Sequence, residues 1–371
     1  MLARRDFLVT SAGACASAGL LPPPWMTALQ EDTLDAAFER FQSFGPTYGR
    51  GASNHGPMAV EALAAMGAGS AIAEWIQDYT ARLDPAPAPG EPIAAENWSA
   101  VLGAAGRYAD WDLLFRREIE EHGAADTLQL WLPRFVHDVG CYAFHGAIRA
   151  GHAARALAAH DSAPRRRELA AALAFWASRC DPPPTPSGAD EPGERLPLPQ
   201  CLTIVENAVP DTDAPNGSVM AGIRRVAARP GFIAAAARAD LGGEPADTAQ
   251  RIGALFARTY LEHGGDARIG YIHAITGPVA LRRLVPWLDE ESVARGLRST
   301  WTACAAIHAA FRTDAHALPD GKPPSREQVV AAAVASGDEH AIKFTEALLD
   351  LDAAGADAIF FHAAADASAE L

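Results

Sequence analysis

The chain has 371 residues, 49% of them apolar and 21% charged, the composition of a globular protein long enough to bury a large core. Its formal net charge is −15, and its longest basic run is Arg165-Arg166-Arg167. Nucleic-acid binders need a positive stripe to displace phosphate counterions, so that class of partner is excluded.

In chain order, the first segment is not part of the fold. Ala3-Arg4-Arg5-Asp6-Phe7-Leu8 leads into the small apolar run VTSAGACASAGLL and then Pro22-Pro23-Pro24. Paired arginines before a short apolar stretch predict a twin-arginine export signal and linker over residues 1–30, with the folded domain at 31–371. The expected destination is periplasmic or secreted, by way of the twin-arginine export machinery, and cytoplasmic if the signal is not used. Cys15 lacks the upstream leucine of a lipid-attachment site. No segment reaches the ~20 apolar residues that cross a bilayer, so no membrane span is expected.

Beyond the signal the chain reads as Ala-rich helices. MAVEALAAM (58–66), AIAEWIQDYTARL (71–83), RRELAAALAFWASRC (166–180), QRIGALFARTYLEHG (250–264), EQVVAAAVASG (327–337) and AIKFTEALLDLDAAG (341–355) all place apolar residues at i, i+3, i+4 and i+7. CLTIVENAV (201–209) is the one fair strand candidate. LDPAPAPGEP (83–92), a long Pro/Gly/Asp-rich excursion at 181–217 and ALPDGKPPS (317–325) read as loops. The expected fold is all-α: a single large helical domain with long Pro/Gly-rich loops. Cys180 and Cys201 bracket the Pro-rich stretch, where an oxidising compartment allows them to pair. There is no C-x-x-C, no G-x-G-x-x-G after a strand, no P-loop, no H-E-x-x-H and no G-x-S-x-G.

Chemistry gathers on histidines. His55 and His273 each precede a Gly-Pro, and both Gly-Pro pairs are expected to open a helix. In AFHGAIRAGHAARAL, His145, Arg149 and His152 fall at i, i+4 and i+7. Seven residues rise about 10.5 Å, too far for His145 and His152 to bind one ion together, so one is a ligand candidate and the other lines the pocket. His137, Cys141 and His145 offer a competing His/Cys zinc face at i, i+4, i+8. His340 and Lys343 are neighbours on one helix face. Only Lys322 and Lys343 are lysines among 31 basic residues. A buried lysine can shed its proton and take up carbon dioxide as a carbamate, which arginine cannot do.

Four motifs, NHGPMAVEAL, FHGAIRAGHA, HAITGPVAL and DEHAIKFTEA, stand in this order and resemble the questin oxidase-like family over roughly residues 33–362. The resemblance implies an all-helical oxygenase of aromatic polyketides, using non-haem Fe(II) and dioxygen, with NADPH as an external reductant left open. It implies iron ligands at His55, His145, His273, His340 and Lys343, the last as its carbamate. The fungal members act on anthraquinone-type substrates, by Baeyer–Villiger-type oxygen insertion or ring cleavage. Where their pattern has a second histidine four residues after the Phe-His pair, this chain has Arg149, with His152 three further on. Arg149 is expected to hold a substrate phenolate or carboxylate, and a small aromatic molecule is the expected partner. Two other readings stay open: a zinc hydrolase of the metal-hydroxide type on the same ligands, and a non-enzymatic helical protein binding an apolar ligand.

Overall fold

The computed structural model describes residues 24–94, 97–180, 194–210, 218–352 and 357–371. Residues 1–23 of the expected export signal, and residues 181–193 and 211–217 of the expected excursion, lie outside them. Among the described residues are sixteen α-helices and a single two-stranded ribbon, so the all-α expectation holds. None of these helices is long and apolar enough to cross a membrane.

The first helix, α1 (Pro24–Phe41), leads to the ribbon of β1 (Thr47–Tyr48) and β2 (Ala52–Ser53). Next come α2 (Gly56–Ala65), α3 (Ile72–Thr80), α4 (Tyr108–His122), α5 (Ala124–Phe135), α6 (His145–Ala159) and α7 (Ala163–Arg179). The middle of the chain supplies α8 (Leu198–Ala208), α9 (Val219–Ala227) and α10 (Pro230–Ala236). The last part runs through α11 (Pro245–His263), α12 (Arg268–Leu284), α13 (Glu290–Phe311), α14 (Arg326–Ser336), α15 (Glu339–Leu351) and α16 (Ile359–Glu370).

Local sequence sets the ends. Ser162, Asp289, Ser325 and Asp338 each accept a backbone N–H at the start of a helix, and Ser325 with Gln328 completes a capping box. Gly337 takes the left-handed conformation that ends α14, and Asp338 starts α15 one residue later.

Three expectations are corrected. CLTIVENAV is not a strand but most of α8, because Leu198, Cys201, Leu202 and Val205 are buried at helical spacing, which outweighs the β-branched residues. Cys180 and Cys201 are not joined; the Cys201 thiol donates to Ala235 O at 3.3 Å. The second Gly-Pro does not open a helix: Pro278 lies inside α12. Proline there removes the bond its N–H would make to the carbonyl four residues back. That freed carbonyl, Ala274 O, accepts from the Cys304 thiol at 3.3 Å.

Four of the helices form a closed ring. Helix α2 packs on α6, α6 on α12, α12 on α15, and α15 back on α2. The ring is tied at two levels. At one, His55, His145, His273 and His340 come together. At the other, Glu61, His152, Arg155, Arg283 and Glu346 form a buried ion network that again draws on all four helices. The second level lies six to ten residues after the first on every helix, about 9–15 Å along it. All four helices therefore run in the same direction, from the histidines to the ion network.

Candidate metal centre

Each histidine is placed by its neighbours in sequence. Asn54 accepts from Gly56 N at 3.0 Å and donates to Gly45 O at 2.9 Å, fixing the turn that presents His55 at the start of α2. The His55 N–H donates to the Tyr79 hydroxyl at 2.6 Å. Gly56 is required for close approach, since a Cβ there would sit 2.2 Å from the Phe41 ring.

His145 follows three non-glycine residues with positive φ: Tyr142 at 48°, Ala143 at 54° and Phe144 at 63°. Left-handed backbone costs about 1–2 kcal/mol for each such residue, so the turn persists only because its surroundings hold it. The Phe144 ring is buried against Gly277, where a Cβ would lie 2.4 Å from it. Ala143 N–H donates to Met220 Sδ at 2.9 Å, and the Tyr142 hydroxyl donates to Gly51 O. Tyr142 O accepts the Nδ1–H of His145, which aims the other ring nitrogen inward. On α12, His273 is fixed likewise: its Nδ1–H donates to Ile269 O at 2.6 Å. His340 lies in the first turn of α15, whose first N–H groups Asp338 satisfies, at 2.7 Å for His340 N and 3.2 Å for Ala341 N.

These placements bring the imidazoles together. His55 Nε2 lies 2.6 Å from His145 Nε2, and His145 Nε2 lies 3.2 Å from His273 Nε2. The rings of His55 and His340 are 4.5 Å apart, and those of His273 and His340 5.8 Å. One nitrogen each of His55, His273 and His340 falls within 4.8 Å of the others, an arrangement that can hold a metal ion. The tautomers sharpen this. A carbonyl only accepts, so His145 and His273 both carry their proton on Nδ1. Their Nε2 lone pairs therefore face each other across 3.2 Å in a buried space.

Protonation does not relieve that conflict readily. Burial first, then the Lys343 ammonium, brings His145 down to about 3. Burial also holds His55 well below its ordinary range, with Lys343 and the neighbouring imidazoles adding to it. His273 is lowered by burial, then by His145, His340 and Lys343. A buried set of neutral imidazoles with converging lone pairs fits a cation. Adjacent nitrogens about 2.1 Å from one ion at right angles are about 3 Å apart, close to the spacing here. Lys343 is 2% exposed, and burial brings it down to about 8, opposed in part by Glu339 and Asp338. Four of the five expected ligands thus form a cycle in which each imidazole is in ring contact with two others, and Lys343 is buried one turn beyond His340.

Arg149, expected to hold substrate, and His152, expected to line the pocket as a catalytic candidate, have other partners. Arg149 makes a buried two-pronged pair with Glu168 on α7, Nε to Oε1 at 2.7 Å and Nη2 to Oε2 at 2.9 Å. Its guanidinium is spent on that carboxylate, which keeps it protonated despite burial. His152 donates from Nδ1 to Glu61 Oε2 at 2.6 Å, within the ion network beneath the histidines. The competing His137–Cys141–His145 face does not exist as one helix. His137 lies in a short 3-10 turn, and the left-handed segment separates Cys141 from His145.

Residues with no motif of their own complete the surroundings. Glu339 Oε1 is 3.8 Å from His55 Nδ1, and Arg82 Nη2 donates to Glu339 Oε2 at 2.6 Å. Arg82 also stacks over Tyr79, 4.2 Å from its ring centre. Deeper in the ring, Glu61 and Glu346 share Arg155, and Arg283 binds Glu346 at 2.6 Å. One sequence signal was available: a glutamate stands six residues after the histidine in both His55–Glu61 and His340–Glu346. In comparison with models of known families and with curated proteins, nothing matches this chain.

Proposed function

We propose that the chain is a non-haem iron oxygenase of the questin oxidase-like kind, acting on a polycyclic phenol or quinone after export through the twin-arginine route. The observation that carries the reading is the pair of Nε2 lone pairs of His145 and His273, turned toward each other at 3.2 Å in a buried site that disfavours their protonation. His55, His145, His273, His340 and Lys343 would hold the ion, imidazole being a suitable ligand for iron. When bound, iron(II) supplies an open coordination position and the one-electron chemistry that dioxygen needs.

The residues do the rest. Lys343, brought down to about 8, presents far more neutral amine near neutral pH than an ordinary lysine does. The neutral Nζ adds to the carbon of carbon dioxide and releases one proton, leaving a carbamate with one negative charge. That oxygen anion balances a ligand set otherwise made of neutral imidazoles. His340 is the ligand with the most exposed side chain, and Tyr48 and Arg82 flank the same edge near Glu339, so an aromatic substrate approaches from there. The partly exposed Arg82 guanidinium suits the negative charge of a planar phenolate.

The test is elemental analysis of purified wild type beside His145→Ala and Lys343→Arg, with oxygen uptake on a hydroquinone and anthraquinone panel. About one iron per chain in wild type, lost in His145→Ala and reduced in Lys343→Arg, is expected. Wild type without stoichiometric metal sinks the reading, and stoichiometric zinc with no oxygen uptake turns it toward the hydrolase.

A further inference from the structure

We infer that Arg82 and Glu339 are positioning residues: Glu339, held by Arg82, takes the Nδ1–H of His55 when a metal occupies the histidine pocket, and so sets metal affinity. The inference rests on the metal reading above but not on the reaction proposed there. Its starting point is an orphan. His55 Nδ1 is buried and has no hydrogen-bond partner, whereas His145 and His273 each spend Nδ1–H on a carbonyl.

Neither tautomer of His55 satisfies its surroundings without a cation. With the proton on Nε2, His55 donates to His145 at 2.6 Å, but its Nδ1 lone pair then faces the Glu339 carboxylate at 3.8 Å. With the proton on Nδ1, the carboxylate is faced by a donor, but two Nε2 lone pairs meet at 2.6 Å. A metal on Nε2 resolves both contacts at once. The proton must then sit on Nδ1, and Glu339 is the carboxylate within reach of it. Histidines that ligate metals commonly hand their other N–H to such a carboxylate, which fixes the ring and raises its basicity.

Glu339 is prepared for the task. It is buried, and its other oxygen is fixed at 2.6 Å by Arg82. Arg82 itself lies over Tyr79, whose hydroxyl accepts the His55 backbone N–H at 2.6 Å. Side chain and backbone of His55 are thus gripped by one small assembly from α2, α3 and α15 and the residues just after α3. Closing the 3.8 Å gap to hydrogen-bond length needs a shift of only about 1 Å.

The test uses the full chain loaded with Zn(II) as a diamagnetic probe, with affinity measured by chelator competition and His55 followed by ¹⁵N-histidine NMR. Wild type should show a slowly exchanging, downfield Nδ1–H on His55 in the loaded form. Glu339→Gln should weaken Zn(II) binding by about 10- to 100-fold and move that resonance upfield. Arg82→Met, altered at a side chain 44% exposed, should weaken binding several-fold and broaden the same resonance, read on protein shown to be folded by its urea midpoint. A purely structural role would lower the stability of the apoprotein and leave affinity and resonance alone. Wild-type binding with affinity unchanged within twofold in both variants overturns this inference and leaves the metal reading standing. Wild type that takes up no Zn(II) or Fe(II) overturns the metal reading and this inference with it.

Discussion

Arg149 separates a substrate clamp from a structural strut, and Arg149→Met decides between them. In the structure both guanidinium and carboxylate are buried, with two parallel bonds of 2.7 and 2.9 Å to Glu168. Methionine keeps much of the stem and removes the charge, leaving the Glu168 carboxylate buried without a partner. Breaking a buried pair in this way costs about 3–5 kcal/mol, a large part of the ~5–15 kcal/mol that holds a domain folded. The second variant, Arg149→Met with Glu168→Leu, should recover most of that loss, because apolar replacement of both partners is often neutral or stabilising. The pH dependence follows with a definite sign. Alone, Glu168 is pushed by burial above its unfolded value of about 4.3. Its penalty is then smallest at low pH and grows as pH rises from that value through the raised one. The deficit of the single variant against wild type should be smaller at pH 5 than at pH 7.5. Urea unfolding of metal-stripped protein measures this free of metal linkage. A single variant with the wild-type urea midpoint and weakened substrate binding would refute the strut and restore the clamp.

Two further outcomes can be checked on the same apoprotein. His55, His145 and His273 are held below the ordinary histidine range by burial, His145 at about 3, while the unfolded chain titrates near 6.5. The stability they contribute is present above about 6.5 and is lost as pH falls, at about 1.4 kcal/mol per pH unit for each imidazole. Urea midpoints at pH 7.5, 6.5 and 5.5 should drop steeply below pH 6.5, and a flat profile would contradict the neutral cluster. Gly277→Ala places a Cβ 2.4 Å from the Phe144 ring, so overpacking should cost about 1–3 kcal/mol. It should also loosen metal binding by shifting the turn that aims His145, an effect read by chelator competition beside wild type.

Much of this was legible in the sequence where period alone decides. The Ala-rich runs became α2, α3, α7, α11, α14 and α15, with ends at the residues that cap them. The four histidine motifs meet because each sits on one helix of the ring. What stayed hidden depends on tertiary partners. Nothing in Tyr142-Ala143-Phe144 announces left-handed backbone, since the compensation comes from Gly277, Met220 and Gly51, all distant in the chain. Pro278 reads as a helix start until Cys304 is seen capping the carbonyl it frees. Arg149 reads as a clamp because its spacing from His145 is helical; Glu168, nineteen residues away, turns it aside.

The direction of the four helices bears on charge. His55, His145 and His340 lie at the starts of α2, α6 and α15. Each start presents the positive end of a helix dipole, offset at α15 by the Asp338 carboxylate. Three such ends beside a lysine make a place where an added proton is unwelcome, the same sense in which burial and Lys343 lower the imidazoles. That field favours neutral ligands but opposes a bare divalent cation. A metal there needs negative charge within a few ångströms. Glu61 and Glu346 do not supply it, because Arg155 and Arg283 claim them a turn or more deeper. Asp338 is engaged with the first N–H groups of α15, and Glu339 is shared with Arg82. As an ammonium, Lys343 adds to the wrong side of the balance. As the proposed carbamate it moves two units of charge at the one basic position in the cluster, which is why a lysine, rather than the arginine this chain uses almost everywhere else, is the residue that fits.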